Sequence, residues 1–172
     1  MFAAVLSYIP ISFSTTIMPV NRKTALFAAI LILNACSRLD SLTPASLNQA
    51  QAKWNSSKPP SYRLVIEMKG DRVEREQFEV TVRNGDVISL KRNTQEVKRA
   101  TGQDYSMDGL FRMLHQELAL SEKPSLMGAP EGYSAYPMAR FDEQSGRLLA
   151  YRRTVGGTSN TIDIRVLEFT IL

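Results

Sequence analysis

The chain has 172 residues, with 21 basic and 17 acidic side chains, one histidine and one cysteine. A single cysteine excludes an intramolecular disulfide framework, and one histidine with one cysteine cannot furnish the ligands of a zinc site. The net charge of +4 overstates the basicity of the folded part: Arg22 and Lys23 precede Cys36, leaving 19 basic against 17 acidic residues, which gives little support for nucleic-acid binding.

In chain order, residues 1–17 are uncharged and contain Pro10. No secretory signal needs such a segment, so translation is expected to start at Met18, with residues 1–17 an over-extended start. Asn21-Arg22-Lys23 then forms a basic n-region, and residues 24–33 form an apolar run of the length of a signal h-region. A membrane-spanning helix would need about 20 apolar residues. The order Leu33-Asn34-Ala35-Cys36 resembles a bacterial lipoprotein signal, with cleavage between Ala35 and Cys36 and lipidation of Cys36. Asn34 is bulkier and more polar than the small residues usual at that position. An ordinary cleaved signal and an uncleaved N-terminal helix are the competing readings. A single acyl chain binds a membrane only marginally, whereas two or more hold a protein stably. Ser37, in place of an aspartate after the lipidated cysteine, favours the outer membrane if the organism is diderm.

Removal of residues 1–35 leaves 137 residues, enough for one domain that buries about two thirds of its unfolded surface. Residues 36–42 read as a short polar tether and residues 43–172 as a single α+β domain. Thr43-Pro44 is a helix start, threonine as N-cap and proline in the first turn. A helix of about three turns follows, with Leu47, Ala50 and Trp54 on one face, and Pro59-Pro60 lies in the segment that ends it. Tyr62, Leu64, Ile66 and Met68 alternate as one face of a strand that ends at the Gly70-Asp71 turn. Phe78, Val80 and Val82 share a face of the next strand. Asn84-Gly85 marks a type I′ hairpin, and Val87 to Leu90 is the returning strand.

A second round has the same order. Ser106 caps a helix through Leu110, Phe111, Leu114 and Leu118, and a Pro/Gly-rich loop follows. Tyr136 to Phe141, Leu148 to Thr154 and Thr161 to Ile171 read as three strands. The alternation in the last one changes phase near Leu167 to Phe169, the signature of a bulge. The expected fold is α+β: an antiparallel sheet of about six strands packed by two helices, in two α-β-β-β pseudo-repeats. That duplication rests on element order, since the halves share no visible identity.

Several of these positions form a wider pattern. Trp54, Tyr62-Arg63, Val80 through Ser89, Ser106-Met107-Asp108-Gly109-Leu110-Phe111, Phe141-Asp142 with Gly146, and Asp163 together resemble the bacterial domain of unknown function 6174 family. The resemblance spans most of the chain after Cys36 and implies a small secreted or lipidated α+β protein, with no activity attached. Two features depart from it. Many members carry a close cysteine pair where this chain has Glu67-Met68-Lys69-Gly70, so no redox or disulfide role carries over. Many also place a proline after the later glycine, where Gly146 is followed by Arg147.

Candidate chemistry is sparse. His115 sits beside the apolar stripe of the second helix with no partner nearby in sequence to orient its imidazole, and reads as a boundary residue. Asp142, Glu143 and Asp163 could serve a glycosidase, but Asp142 reads better as a turn cap and Asp163 as a solvent-facing or arginine-paired group. Gly156-Gly157-Thr158-Ser159 lacks the lysine and strand-to-helix context of a phosphate cradle and reads as a hairpin loop. Tyr133, Tyr136 and Tyr151 could line a groove or be ordinary strand residues. Arg83, Lys91 and Arg92 lie around one hairpin, as do Lys98 and Arg99 at its exit, and Arg147, Arg152 and Arg153 lie around another. If the two hairpins are neighbours, these cations form a patch for anionic lipid headgroups or lipopolysaccharide. Otherwise they belong to a solvated sheet face.

No metal and no cofactor are expected. The leading expectation is a non-enzymatic envelope lipoprotein, anchored through Cys36, that binds a protein or lipid partner. A lipid or lipoprotein carrier or assembly factor would need an apolar cavity between sheet and helices. A small hydrolase would need His115 within hydrogen-bond reach of a Ser, Asp or Glu.

Overall fold

The computed structural model describes residues 38–71, 74–98 and 104–172. Residues 1–37, which include the expected signal and the Ala35-Cys36 junction, and Arg99 lie outside the described residues. Arg38–Leu172 forms one compact unit.

Helix α1 (Pro44–Ser57) starts where the Thr43-Pro44 pair places it. The Thr43 hydroxyl accepts the Ser46 N–H at 3.1 Å, and Ser46 Oγ accepts the Thr43 N–H at 3.0 Å, a reciprocal capping box. Leu47, Ala50 and Trp54 are its buried face. Helix α2 (Met107–Ser121) starts at Ser106, whose hydroxyl accepts the Gly109 N–H at 3.1 Å. A 3-10 turn, Pro124–Met127, follows it.

All strands among the described residues belong to one antiparallel sheet: β1 (Asp40–Ser41), β2 (Tyr62–Gly70), β3 (Glu76–Arg83), β4 (Asp86–Arg92), β5 (Gln95–Glu96), β6 (Ala135–Phe141), β7 (Leu148–Val155) and β8 (Thr161–Ile171). Their spatial order is β1-β6-β7-β8-β2-β3-β4-β5. Each long helix precedes an antiparallel meander, and the meanders meet where β8, the last strand of the second, pairs with β2, the first strand of the first. The sheet therefore has eight strands rather than the expected six. The two additional strands, β1 and β5, are two residues each, too short to show an alternation in sequence.

Strand β1 also corrects the expected tether. Asp40 and Ser41 pair with Ala139 and Met138, the Leu42 N–H donates to the Pro137 carbonyl at 2.9 Å, and Leu42 is buried in the core. An apolar side chain and open backbone groups so close to a sheet edge are better satisfied by pairing than by solvent.

The bulge expected in β8 is present. Val65 faces Glu168 but Ile66 faces Val166, so Leu167 is the extra residue and Phe169 returns to the core side. Ile88 of β4 is extra in the same way, since Thr81 faces Ser89 and Val82 faces Val87, and Ile88 stands exposed. The Asn84-Gly85 turn has φ of 50° and 85°, the double positive φ of a type I′ hairpin. Both helices cover one face of the sheet, and the core lies between them and β2, β3, β7 and β8, with Trp54, Phe111, Leu114 and Tyr151 fully buried.

Candidate functional site

Three places gather polar chemistry, and the first lies where both helices meet the sheet. Trp54 of α1 is edge-on to Tyr62 of β2 at 5.7 Å and to Phe169 of β8 at 5.9 Å, and its indole N–H donates to Asp108 of α2 at 2.8 Å. Lys58 reaches the same carboxylate at 3.2 Å. The Tyr62 hydroxyl accepts the Met107 N–H at 3.1 Å, which satisfies an amide that the helix start leaves open. Burial first, then the nearby Asp108 carboxylate, drives the Tyr62 hydroxyl up to about 12, against the pull of its bond to Met107. Two glycines allow the close packing around this hub. A Cβ on Gly109 would stand 1.6 Å from the Asp104 carbonyl oxygen. Gly146 has φ +73°, and a Cβ there would stand 2.2 Å from the Ala50 carbonyl oxygen on α1. Trp54, Tyr62, Asp108, Gly109 and Gly146 all belong to the sequence pattern noted above, and here they act as a clamp between helices and sheet.

The second place is a polar cluster beneath the C-terminal half of α2. Glu117 Oε2 accepts from the Tyr151 hydroxyl at 3.0 Å and from Arg153 Nη1 at 2.8 Å. Arg153 Nη2 donates to Asn160 Oδ1 at 2.7 Å, and Asn160 Nδ2 donates to the Met127 carbonyl at 2.8 Å. The Arg153 and Glu117 side chains are only 10% and 14% exposed, so this is a nearly dry ion pair that ties α2 and the 3-10 turn to β7. Burial, reinforced by the Glu117 charge, pushes the Tyr151 hydroxyl far above its ordinary range. The neutral phenol, the carboxylate and the guanidinium together form a strut between α2 and β7.

The third place is the sheet face opposite the helices, where charges of both signs alternate. Arg63 pairs with Glu168 at 2.6 Å, Lys91 with Glu79 at 3.6 Å, and Asp163 receives Arg152 Nε at 2.8 Å and Arg165 Nε at 3.1 Å. The hairpin cations do not assemble into one patch. Three strands, β8, β2 and β3, separate β7 from β4, a distance of about 19 Å at the usual strand spacing. Arg83 is exposed at the end of β3, Arg92 pairs with Glu76, and Arg147 pairs with Asp142 at 3.8 Å while lying over the Phe169 ring. Arg152 faces solvent while Arg153, its neighbour, points into the helix side. Sequence reasoning placed Arg153 among surface cations. Its inward phase with Tyr151 and Val155 was the available signal, and Glu117, its partner, was missed altogether.

The remaining candidates resolve simply. His115 is exposed, with Nε2 2.7 Å from Gln51 Oε1. Asp142 Oδ1 accepts the Ser145 N–H and the Ser145 hydroxyl at 2.8 Å each, and these bonds, the backbone one foremost, hold its carboxyl below the ordinary range. Tyr136 is exposed, Tyr151 is buried, and the exposed Tyr133 packs over the Gly156-Gly157 turn, so the three tyrosines line no common groove. Among the described residues no group of three or more His, Cys, Asp or Glu is placed to hold a metal ion, and no helix is long and apolar enough to cross a membrane.

These features define a one-sheet α+β domain clamped by two helices. Residues 46–123 match the model of the family of unknown function DUF6174, in line with the resemblance carried by the residue pattern. The matched segment runs from α1 through α2 and so contains the Trp54–Asp108 clamp, whereas Phe141, Asp142, Gly146 and Asp163 lie beyond it. No curated protein and no solved structure matches the chain.

Proposed function

We propose that the chain is a non-enzymatic envelope lipoprotein, held at the membrane through Cys36, whose α+β domain binds a protein or lipid partner. The observation that carries this reading is the abutment of Cys36 and the fold: the compact unit begins at Arg38, two residues after the cysteine, and the apolar run with its basic flank lies wholly before it. Among the candidate side chains, His115, Asp142 and Asp163 each hold a bond to a neighbouring side chain or backbone group, which favours a binding role. Leu126, Tyr133 and Tyr136, exposed near the end of the sheet where β6 begins, supply apolar surface for a partner. Ser37 favours the outer membrane in a diderm cell. The order helix, meander, helix, meander supports descent from a duplicated unit.

A carrier would need a cavity where Trp54, Phe111, Leu114 and Tyr151 are packed. Mass spectrometry of the mature N-terminus, with membrane fractionation, tests the proposal. A diacylglyceryl-modified Cys36 in the membrane fraction supports it, and an unmodified Cys36 or an N-terminus elsewhere sinks it.

A further inference from the structure

We infer that the domain sits on the bilayer by one end of its sheet, with Leu167, Ile171 and Leu172 dipping into the headgroup region. This rests on the anchor reading above and adds an orientation to it. Strand β1 runs antiparallel to β6, with Asp40 opposite Ala139 and Ser41 opposite Met138, so the chain enters the sheet from the end where β6 finishes at Phe141. Every neighbouring pair is antiparallel, so the same end holds the finish of β8 at Ile171, the start of β2 at Tyr62 and the finish of β3 at Arg83. Covalent geometry keeps the Cys36 Cα within about 7 Å of the Arg38 Cα. A lipid on Cys36 therefore leaves the domain no long leash, and this end must lie near the membrane surface.

The side chains at that end suit such a place. Leu167, Ile171 and Leu172 are 53%, 67% and 59% exposed. A single exposed leucine needs no explanation, but three apolar side chains exposed among residues 167–172, toward the end of the sheet from which β1 enters, form an apolar edge. Exposed Arg38 and Arg83 at the same end supply cations for anionic headgroups. Leu126, Tyr133 and Tyr136 belong to the opposite end and would point away from the bilayer, toward a partner.

The test uses the single native cysteine. Once Cys36 is lipidated its sulfur is blocked, so a cysteine introduced elsewhere is the only free thiol in the chain. Leu167→Cys, Ile171→Cys and Tyr136→Cys variants of the full chain are produced in cells, purified in lipidated form, labelled with an environment-sensitive fluorophore and placed in phosphatidylethanolamine/phosphatidylglycerol vesicles. The expected result is blue-shifted emission, several-fold weaker iodide quenching and strong quenching by spin-labelled lipid at 167 and 171, with the reverse at 136. Iodide shielding at 167 and 171 without lipid quenching would mean contact with another protein copy and would overturn the proposal. Equal behaviour at all three positions would overturn the orientation alone. An unmodified Cys36, seen by mass spectrometry of the same preparations, would remove the anchor reading and the orientation with it.

Discussion

Gly109→Ala should destabilise the domain, although helix propensity alone predicts the opposite. Gly109 lies inside the first turn of α2, where alanine is ordinarily worth up to about 1 kcal/mol over glycine. Here the added Cβ would stand 1.6 Å from the Asp104 carbonyl oxygen and 2.6 Å from its carbon. Asp104 cannot retreat freely, because its carboxylate accepts the Ser106 N–H at 2.9 Å and Arg112 Nη2 at 2.5 Å. Moving it forfeits bonds worth about 1 kcal/mol each, on top of an overpacking cost of about 1–3 kcal/mol. Net of the propensity gain, a loss of about 2–4 kcal/mol is expected, or a fall in Tm of about 7–14 °C for a domain of this size. Urea denaturation followed by the fluorescence of Trp54, the sole tryptophan, measures it directly. A midpoint equal to or above that of the parent chain would refute the claim that close packing against Asp104 demands glycine here.

Glu117→Gln should cost about 3–5 kcal/mol in thermal or denaturant unfolding, because it strands the Arg153 guanidinium in a nearly dry site, whereas Glu117→Leu with Arg153→Met should recover most of that loss. Alkaline unfolding, followed by tyrosinate absorbance, should begin above pH 10 and run toward pH 12: the raised Tyr62 value means its stabilisation is complete below 10.0 and is lost as the folded hydroxyl ionises. Tyr62→Phe should remove that titration at the expense of the Met107 bond. At the acid end, Asp142 is held low, chiefly by the Ser145 N–H, so its contribution is complete above 3.8 and is lost as pH falls below that value. Asp142→Asn should flatten that limb of a stability-against-pH curve. His115→Ala should change unfolding by less than about 0.5 kcal/mol, since the ring is exposed and bonded only to Gln51; a larger loss would mean that the ring does structural work its exposure conceals.

The family pattern gains a physical reading from these contacts. Trp54, Tyr62, Asp108 and Gly109 lie within the matched segment and hold α1, α2 and β2 together. Trp54, Tyr62 and Gly109 are buried, and the partly exposed Asp108 carboxylate is held by Trp54 and Lys58.

What the sequence alone determined were the features written in local periods and caps. The Thr43-Pro44 and Ser106 helix starts, the Asn84-Gly85 hairpin, the alternation of β2 and β3 and the phase change in β8 each depend on a few adjacent residues, and each can be read from them. The tertiary structure decided what depends on residues far apart in the chain. The β8–β2 pairing joins the two meanders across about a hundred residues, for example Arg63 with Thr170, and no local pattern specifies it. That pairing separates β4 from β7 and disperses the hairpin cations, while the packing of α2 against β7 gives the inward-facing Arg153 its partner Glu117, 36 residues earlier. Strand β1 and buried Leu42 escaped a sequence reading for the same reason: two residues carry no period, and only the edge of β6 gives them a partner.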